Sequence, residues 1–325
     1  MNPKDLRIVF MGTPTMAAYA LMRLHQQGFN VVGVVTAPDK PAGRGLKFVA
    51  SEVKKYALEH NIKVLQPEKL KSPEFIDDLH ALQPDVQVVV AFRMLPQIVW
   101  ELPPLGTFNM HASLLPQYRG AAPINHAIIN GEKETGVTTF LLDKEIDTGK
   151  ILMQEKMPIL FNETAGHLHN RIMEAGADLV IKTINEIAGG NLKPFDQSKL
   201  ITNPQQLNLA PKIFKEDCQI DFNKPCQQVV NLIHGLSPEP GAFTILKEGE
   251  QALFIKIFEA SARQTHHKYN TRELFTNHKN QLAITTPDGF VYVKNLQVSG
   301  KRRMEISEFL RGFRFKQINL LRDIE

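Results

Sequence analysis

The sequence predicts an α/β protein in which a doubly wound sheet, with helices on both faces, is followed by a smaller β-rich domain. In the N-terminal part, short apolar runs rich in β-branched residues alternate with segments of helical spacing, as in buried parallel strands joined by helices. This βαβα alternation favours a doubly wound sheet. After residue 210 the runs are short and broken by Gly, Asn and Asp, which favours a small barrel.

The predicted elements of the first domain follow in chain order. Four apolar runs are predicted to be strands: residues 7–12, 31–36, 86–92 and 106–111. Three intervening segments have helical spacing: residues 16–27, 51–60 and 72–82. Residues 136–143 and 150–160 are joined by a short turn, so an antiparallel hairpin is expected there. A long helix over about residues 164–187 is expected to end at Gly189-Gly190.

Two domains are expected because 325 residues, 43% of them hydrophobic and 22% charged, are too many for one ordinary core. Residues 191–209 are rich in Pro, Gln and Asn and show little periodicity, which is typical of a linker. The predicted boundaries are a first domain at 1–190, a linker at 191–209 and a C-terminal domain at 210–325.

Composition and missing motifs exclude several classes of function. No apolar run approaches the roughly 20 residues that span a bilayer, and the first residues lack a signal-peptide pattern, so we expect a cytoplasmic protein without membrane association. Cys218 and Cys226, the only cysteines, are too few for a disulfide framework, and no metal-site spacing is present, so no metal is expected. Because neither GxGxxG nor GxSxG occurs, a dinucleotide cofactor and a serine nucleophile are not expected.

The positive charge of the chain lies in its C-terminal part. Residues 1–200 carry 21 Lys+Arg against 21 Asp+Glu, so residues 201–325 carry 17 against 13, which accounts for the net charge of +4. Basic residues with interleaved phenylalanines form a cluster within residues 300–316. The cluster suits contact with nucleic acid, but a solvated charged surface is an open alternative.

Asn109 and His111 end an apolar run two residues apart, so their side chains project from the same face of an extended segment. In open α/β sheets, ligands bind beyond the carboxyl ends of strands. The following hairpin turn carries Asp143, Glu145 and Asp147 and could face the same crevice. An amide, an imidazole and a carboxylate suit group transfer, because they can stabilise an oxyanion and move protons. A satisfied polar strand end beside an exposed acidic turn is the alternative that the spacing leaves open.

Several motifs together resemble the ordered landmarks of the methionyl-tRNA formyltransferase family: IVFMGTP, TAPDKPAGRG, FNMHASLLPQYRGAAPI, GVTTFLLDKEIDTG, APKIFKEDCQIDF and LQVSGKRRM. The resemblance spans nearly the whole chain. It implies a Rossmann-like formyltransferase domain followed by an OB-like barrel that binds tRNA. It also implies a monomer that transfers a formyl group from 10-formyltetrahydrofolate to methionyl initiator tRNA, for translation initiation.

The resemblance assigns roles residue by residue. Asn109, His111 and Asp147 fall on the family's catalytic trio. The residues that it places at the folate site are Ser113, Leu114, Leu115, Pro116 and Asp143. The loop of residues 37–48 matches the insertion that grips the tRNA acceptor end, and the residues expected to contact tRNA are Arg44, Lys47, Lys301, Arg302 and Arg303. How His111 and Asp147 share the proton transfers is left open.

Two positions depart from the family pattern. Arg93 lies in a region where the family usually has glycine, and Glu145 replaces a glycine of the acidic turn, so the folate loop is expected to be reshaped. Two alternatives accompany the main hypothesis, and these departures favour the second of them. One is a formyltransferase acting on a small amine, such as glycinamide ribonucleotide or an amino sugar. The other is a tRNA-binding protein without catalytic activity.

Overall fold

The computed structural model describes residues 1–42, 47–248, 251–315 and 319–320. The chain forms two compact units. The first comprises Met1–Gly120, Thr135–Met157 and Asn170–Leu209, and the second comprises Ala121–Glu134, Pro158–His169 and Ala210–Glu325. Within the described residues, no helix combines the length and apolar character that a bilayer crossing requires.

Strands and helices alternate over the described part of the chain up to residue 189. The strands are β1 (Ile8–Gly12), β2 (Val31–Val35), β3 (Lys40–Ala42), β4 (Lys47–Val49), β5 (Val64–Leu65), β6 (Val86–Val90), β7 (Thr107–His111), β8 (Arg119–Gly120), β9 (Glu134–Leu141) and β10 (Ile151–Pro158). The helices are α1 (Thr15–Gln26), α2 (Glu52–Glu59), α3 (Pro73–Ala81), α4 (Gln97–Trp100), α5 (Pro123–Ile129) and α6 (Ala165–Gly189).

The sheet of the first unit has seven strands in the order β10-β9-β7-β6-β1-β2-β5. From β7 to β5 the described pairings are parallel. Val9 and Met11 of β1 pack with residues of α3, while Ile8 and Phe10, which point to the opposite face, are also fully buried. Burial on both faces explains why the strands read as continuous apolar runs. The predicted doubly wound parallel sheet is confirmed.

The hairpin predicted after β7 is also present. β7 and β9 pair antiparallel, and β9 and β10 are neighbours in the sheet. The Leu141 N–H donates to the Lys150 carbonyl oxygen at 2.9 Å beside the turn, and a Cβ added at Gly136 would lie 2.2 Å from the Glu155 carbonyl oxygen. The two strands therefore run antiparallel.

Some elements were not predicted. β5 has only two residues, too few for a periodic signal. β3 and β4 pair antiparallel, although the Pro- and Gly-containing segment of residues 37–48 was predicted to be a loop without strands. In contrast, the long helix was predicted: α6 ends at Gly189, at the expected Gly189-Gly190 stop, and Gly190 follows with φ of +68°, a conformation typical of a helix C-terminus.

The second unit is rich in antiparallel β structure. β11 (Leu209–Ala210) spans the point in the chain where the first unit ends and the second continues. The strands that follow are β12 (Ala242–Glu248), β13 (Gln251–Gln264), β14 (Leu274–Thr276), β15 (Leu282–Thr286), β16 (Gly289–Val298), β17 (Met304–Glu305) and β18 (Asn319–Leu320). Its helices beyond residue 210 are α7 (Cys226–Gly235) and α8 (Ile306–Gly312). The main sheet has the order β12-β13-β16-β15-β14-β18, and β14 and β18 form a parallel pair. The predicted β-rich C-terminal domain is confirmed.

α7 packs on this sheet and was missed by the sequence analysis. Val229, Val230 and Ile233 of the helix belong to the same core cluster as Ile255 and Val291 of the sheet. β13 pairs with β12 over residues 251–257 and with β16 over residues 255–264, with register shifts between Ile257 and Ala260. Such a bulge increases the local twist, as expected where a strand passes around a small core.

We expect Ile233→Ala to destabilise the second unit. Ile233 is fully buried in the core, so the substitution removes three buried carbon atoms and leaves a cavity. Such a change typically lowers the free energy of unfolding by about 2–5 kcal/mol. Urea unfolding followed by fluorescence measures the loss. Ile245→Ala is the matched control, because Ile245 is 46% exposed on β12. Equal effects of the two substitutions would contradict the assigned core.

Candidate active site

Asn109 and His111 lie on β7, and His111 is the last residue of that strand. His111 is only 6% exposed, whereas Asn109 is half-buried. Among the described residues, no group forms a hydrogen bond with the Asn109 carboxamide. The carboxamide is therefore available to donate a hydrogen bond to a ligand at this face of β7.

The His111 ring is held in one tautomer. Its Nε2 lies 2.8 Å from the Tyr118 carbonyl oxygen, and because a carbonyl only accepts, Nε2 must carry the hydrogen. In the neutral ring, Nδ1 then has the lone pair. Nδ1 lies 3.8 Å from Asp147 Oδ2, which is too long for a direct hydrogen bond but close enough for electrostatic coupling when the ring is protonated.

Asp147 reaches His111 from the turn between β9 and β10. The Leu142 N–H donates to the Thr107 carbonyl oxygen at 2.9 Å, so the turn begins beside the start of β7 and returns to its end. Asp147 Oδ2 accepts from the Gly120 N–H at 2.9 Å. Asp147 itself has φ of +57°, in the left-handed region that non-glycine residues rarely adopt. At Gly149 an added Cβ would lie 1.7 Å from the Leu141 carbonyl oxygen, so only glycine fits there.

The remaining acidic residues of the turn have local roles. Asp143 is exposed, and its Oδ1 accepts from the Glu145 N–H at 3.2 Å. Glu145 is exposed and does not have a positive φ, so its substitution for the family's glycine imposes no backbone strain. All three carboxylates were expected to face the crevice beside His111. Of the three, Asp147 is the one that lies next to the His111 ring.

The segment predicted to line a folate site is directed mainly into the protein. Ser113 is fully buried, and its Oγ donates to the Gln117 carbonyl oxygen at 2.7 Å. Leu115 is 1% exposed, its N–H donates to Thr138 Oγ1, and its carbonyl oxygen accepts from Gln154. Pro116 is also buried, and Leu114 is half-buried. Leu114 is thus the member of this segment whose side chain is best exposed to a ligand.

Arg93 holds two loops together. Its guanidinium donates to the carbonyl oxygens of Pro67 and Glu68 and lies over the Phe92 ring, 5.5 Å from the centroid. These contacts join the segment after β5 to the loop after β6. Arg93 therefore has a structural role in the described structure, which the sequence analysis had not assigned.

The residues expected to contact tRNA in the first unit are only partly described. Arg44 lies outside the described residues. Lys47 is the first residue of β4 and pairs with Ala42 of β3. The base of this hairpin is anchored through Asp39, which accepts from Lys54 at 2.6 Å and from Gln66 at 2.9 Å. These hydrogen bonds, that from Lys54 foremost, lower the pKa of Asp39.

In the second unit, two of the three basic residues that are predicted to contact tRNA form ion pairs with acidic residues. Arg302 forms an ion pair with Glu308, and Arg303 donates to Glu259 at 2.6 Å. Lys301 is exposed, and no acidic partner is found for it in the described part of the chain. Of these three residues, Lys301 is therefore the one whose charge is most available to a phosphate.

Sequence reasoning missed Gln197, which is 1% exposed and bonded to both loops of the site. It lies in the segment that the composition assigned to a linker. A single glutamine among Pro, Gln and Asn residues carries no sequence signal, because its role depends on contacts with residues far away in the chain.

The structure predicts that neutral His111 is protonated at Nε2. Long-range ¹H–¹⁵N correlation spectra at a pH where the ring is neutral should show this tautomer, because the Tyr118 carbonyl oxygen accepts the Nε2 hydrogen. A His111→Asn variant identifies the resonance. A ring protonated at Nδ1 instead would contradict the assigned hydrogen bond.

Two family profiles match the chain: "Formyl transferase" over residues 6–184 and "Formyl transferase, C-terminal domain" over residues 212–314. A methionyl-tRNA formyltransferase of Bacteroides fragilis is 51% identical over 96% of this chain and 97% of its own length. The corresponding protein of Flavobacterium johnsoniae is 47% identical over 96% of this chain and 98% of its own length.

Among solved structures, an N-formyltransferase from Helicobacter canadensis, in complex with folinic acid and dTDP-3-aminofucose, superposes with a TM-score of 0.64. It is 24% identical, and the match covers 89% of this chain and 98% of that protein, so it supports the fold alone. The family profiles and the relatives that match nearly the full length of the chain determine its family. The chain belongs to the formyl transferase family.

Proposed function

We propose that this chain transfers the formyl group of 10-formyltetrahydrofolate to the α-amino group of methionyl initiator tRNA. The observation that carries the proposal is the placement of the His111 ring 3.8 Å from the Asp147 carboxylate, in a chain 51% identical to a methionyl-tRNA formyltransferase. The proposal includes action as a monomer in the cytoplasm.

Asn109 suits the stabilisation of the tetrahedral intermediate. When the amine nitrogen attacks the formyl carbon, a C–N bond forms and negative charge develops on the formyl oxygen. A preorganised donor aimed at that oxygen lowers the barrier, and the Asn109 carboxamide has no competing hydrogen bond among the described residues. Its half-buried position on β7 limits rearrangement when the charge develops.

His111 and Asp147 suit the movement of protons. The substrate amine has an ordinary pKa of about 8, so a useful neutral fraction exists near neutral pH and no strong base is required. The proton released by the attacking nitrogen passes to Asp147, directly or through water. Because the Nε2–H of His111 donates to the Tyr118 carbonyl oxygen, Nδ1 is the ring nitrogen that takes part in proton transfer. Nδ1 first accepts the proton from Asp147, directly or through water across the 3.8 Å separation. The protonated ring then donates from Nδ1 to the oxyanion or to the departing folate nitrogen. The C–N bond to folate then breaks with that nitrogen protonated.

The second unit and the segment of residues 37–48 suit binding of the tRNA. A small amine needs neither a basic appended unit nor a hairpin anchored through Asp39. Lys301, Arg44 and Lys47 are the residues to which we assign phosphate and sugar contacts. Arg302 and Arg303 contribute less in this proposal, because their charges are already paired.

We expect Asp147→Asn and Asn109→Ala each to lower the rate of formyl transfer about 10²-fold or more, since each removes a group that acts on the reacting atoms. The assay supplies 10-formyltetrahydrofolate with methionyl initiator tRNA or with glycinamide ribonucleotide. Asp77→Asn on α3 is the matched control, because Asp77 is exposed and distant in sequence from the site.

Each outcome of that assay discriminates between functions. Transfer to methionyl-tRNA that is lost in the variants supports the proposal. Transfer only to the small amine would favour the alternative enzyme, and transfer to neither would favour a tRNA-binding protein without activity. Unchanged turnover in Asn109→Ala would refute the oxyanion role.

We expect tRNA affinity to fall steeply with salt, because phosphate contacts release counterions. Lys301→Ala should reduce the slope of log K against log salt by about one, whereas Arg303→Ala should change it less, since Arg303 is paired with Glu259. Fluorescence anisotropy across a salt series measures the slopes, with Lys182→Ala on α6 as control. A salt-independent affinity would contradict the assignment.

A further inference from the structure

We propose that Gln197 is a positioning residue for the transfer reaction. In this proposal, which rests on the proposed function, its side chain holds the two loops that place His111 and Asp147 side by side. Gln197 begins a short 3₁₀ helix (Gln197–Leu200) within the segment that the composition predicted to be a linker.

The Gln197 carboxamide uses its full hydrogen-bonding capacity. Nε2 donates to the carbonyl oxygens of Asp147 at 3.0 Å and Gly149 at 2.7 Å. Oε1 accepts from Arg119 Nε at 3.2 Å and from its terminal nitrogen at 2.7 Å. Two donors and two acceptor positions are thus all occupied, and only one orientation of the amide satisfies them. At 1% exposure, no water is needed to complete the set.

The acidic turn requires such support. Asp147 has φ of +57°, a conformation that costs energy in a residue with a side chain. Such a conformation persists only when surrounding contacts over-determine it. The Gly120 N–H fixes the Asp147 carboxylate, and Gln197 fixes the backbone on both sides of Thr148. Without Gln197, the turn would lose two of the described contacts that hold it in this conformation.

The same side chain is tied to the loop that holds His111. Arg119, which donates to Gln197, stands between Tyr118 and Gly120. Tyr118 supplies the carbonyl oxygen for His111, and Gly120 supplies the N–H for Asp147. One buried amide therefore bridges the loop after β7 and the turn after β9, and it sets the distance between the two proposed catalytic groups.

The segment that carries Gln197 is itself pinned to the first unit. Phe195 and Ile151 exchange two backbone hydrogen bonds of 2.8 Å. Further along, the Asn208 N–H donates to Gln117 Oε1 at 2.8 Å, and the Gln117 side chain donates to the Gln206 carbonyl oxygen at 3.2 Å. The segment is thus built into the wall of the site, which lets Gln197 act as a fixed point.

Two substitutions test the proposal by steady-state kinetics. Gln197→Met keeps the size but removes all four hydrogen bonds. Gln197→Glu keeps acceptors for Arg119 but cannot donate to the two carbonyl oxygens. We expect both to lower kcat about 10²-fold, because a misplacement of about 1 Å can cost that much, while KM for each substrate changes less than about threefold. Gln205→Met, an exposed glutamine of the same segment, should leave the kinetics unchanged.

A further variant asks whether Gln197 acts through Asp147. In an Asp147→Asn background, Gln197→Met should cause little further loss, because residues that act as a unit are not additive. Independent, multiplicative losses would overturn the proposal. So would losses of melting temperature and folate binding that parallel the loss of rate in both Gln197 variants, since these indicate a purely structural role.

The positioning role of Gln197 and the proposed function can be refuted separately. Full activity of Asp147→Asn would refute the catalytic assignment whatever Gln197 does. Full activity of Gln197→Met, together with an inactive Asp147→Asn, would refute the positioning role alone. If the accepted amine proves to be a small molecule, the same variants are measured with that amine, and the comparison keeps its meaning.

Discussion

The hydrogen bond from the Gly120 N–H to the Asp147 carboxylate joins two loops whose residues are 27 apart in the chain, and the geometry of the site depends on it. One loop follows β7 and also supplies the carbonyl oxygen that fixes His111. The other runs back along β7 from the end of β9 and places Asp147 in a left-handed conformation. A carboxylate held by a backbone N–H and facing an imidazole at 3.8 Å is thereby preorganised before any substrate binds.

The sheet makes this arrangement possible. β7 lies between the parallel part of the sheet and the antiparallel hairpin, so its residues contact both. Asn109 is paired with Val89 on one side and Phe140 on the other. Because the neighbouring strands are buried and rigidly packed, the polar side chains of β7 are presented from a surface that moves little.

The second unit has a different physical character. Its core joins α7 and α8 to a mainly antiparallel sheet, and its charges lie outside that core. Arg302 and Arg303 form ion pairs with acidic residues, so the number of basic residues in the cluster overstates the field that a phosphate backbone would meet. The distribution of unpaired cations, rather than their number, determines where a polyanion binds most strongly.

The sequence alone determined the architecture and the chemical types in the site. Buried strands need apolar residues on both faces, so their runs are visible without coordinates, and the spacing of Asn109 and His111 places them on one face of a strand. The helix α7 and the two-residue β5 escaped this reasoning, because their signals are short or mixed. Asp147 was recognised through the family pattern. The sequence did not show that Asp143 and Glu145, in the same turn, lack its contact with the site.

Only the tertiary structure decided which polar groups meet. The 3.8 Å approach of His111 and Asp147, the tautomer imposed by Tyr118 and the burial of Gln197 all arise from contacts between residues distant in the chain. A hydrogen bond depends on tenths of an ångström and on direction, whereas hydrophobic periodicity depends only on which side of an element a residue occupies. The sequence therefore determined the fold and the functional groups, and the folded chain determined their geometry.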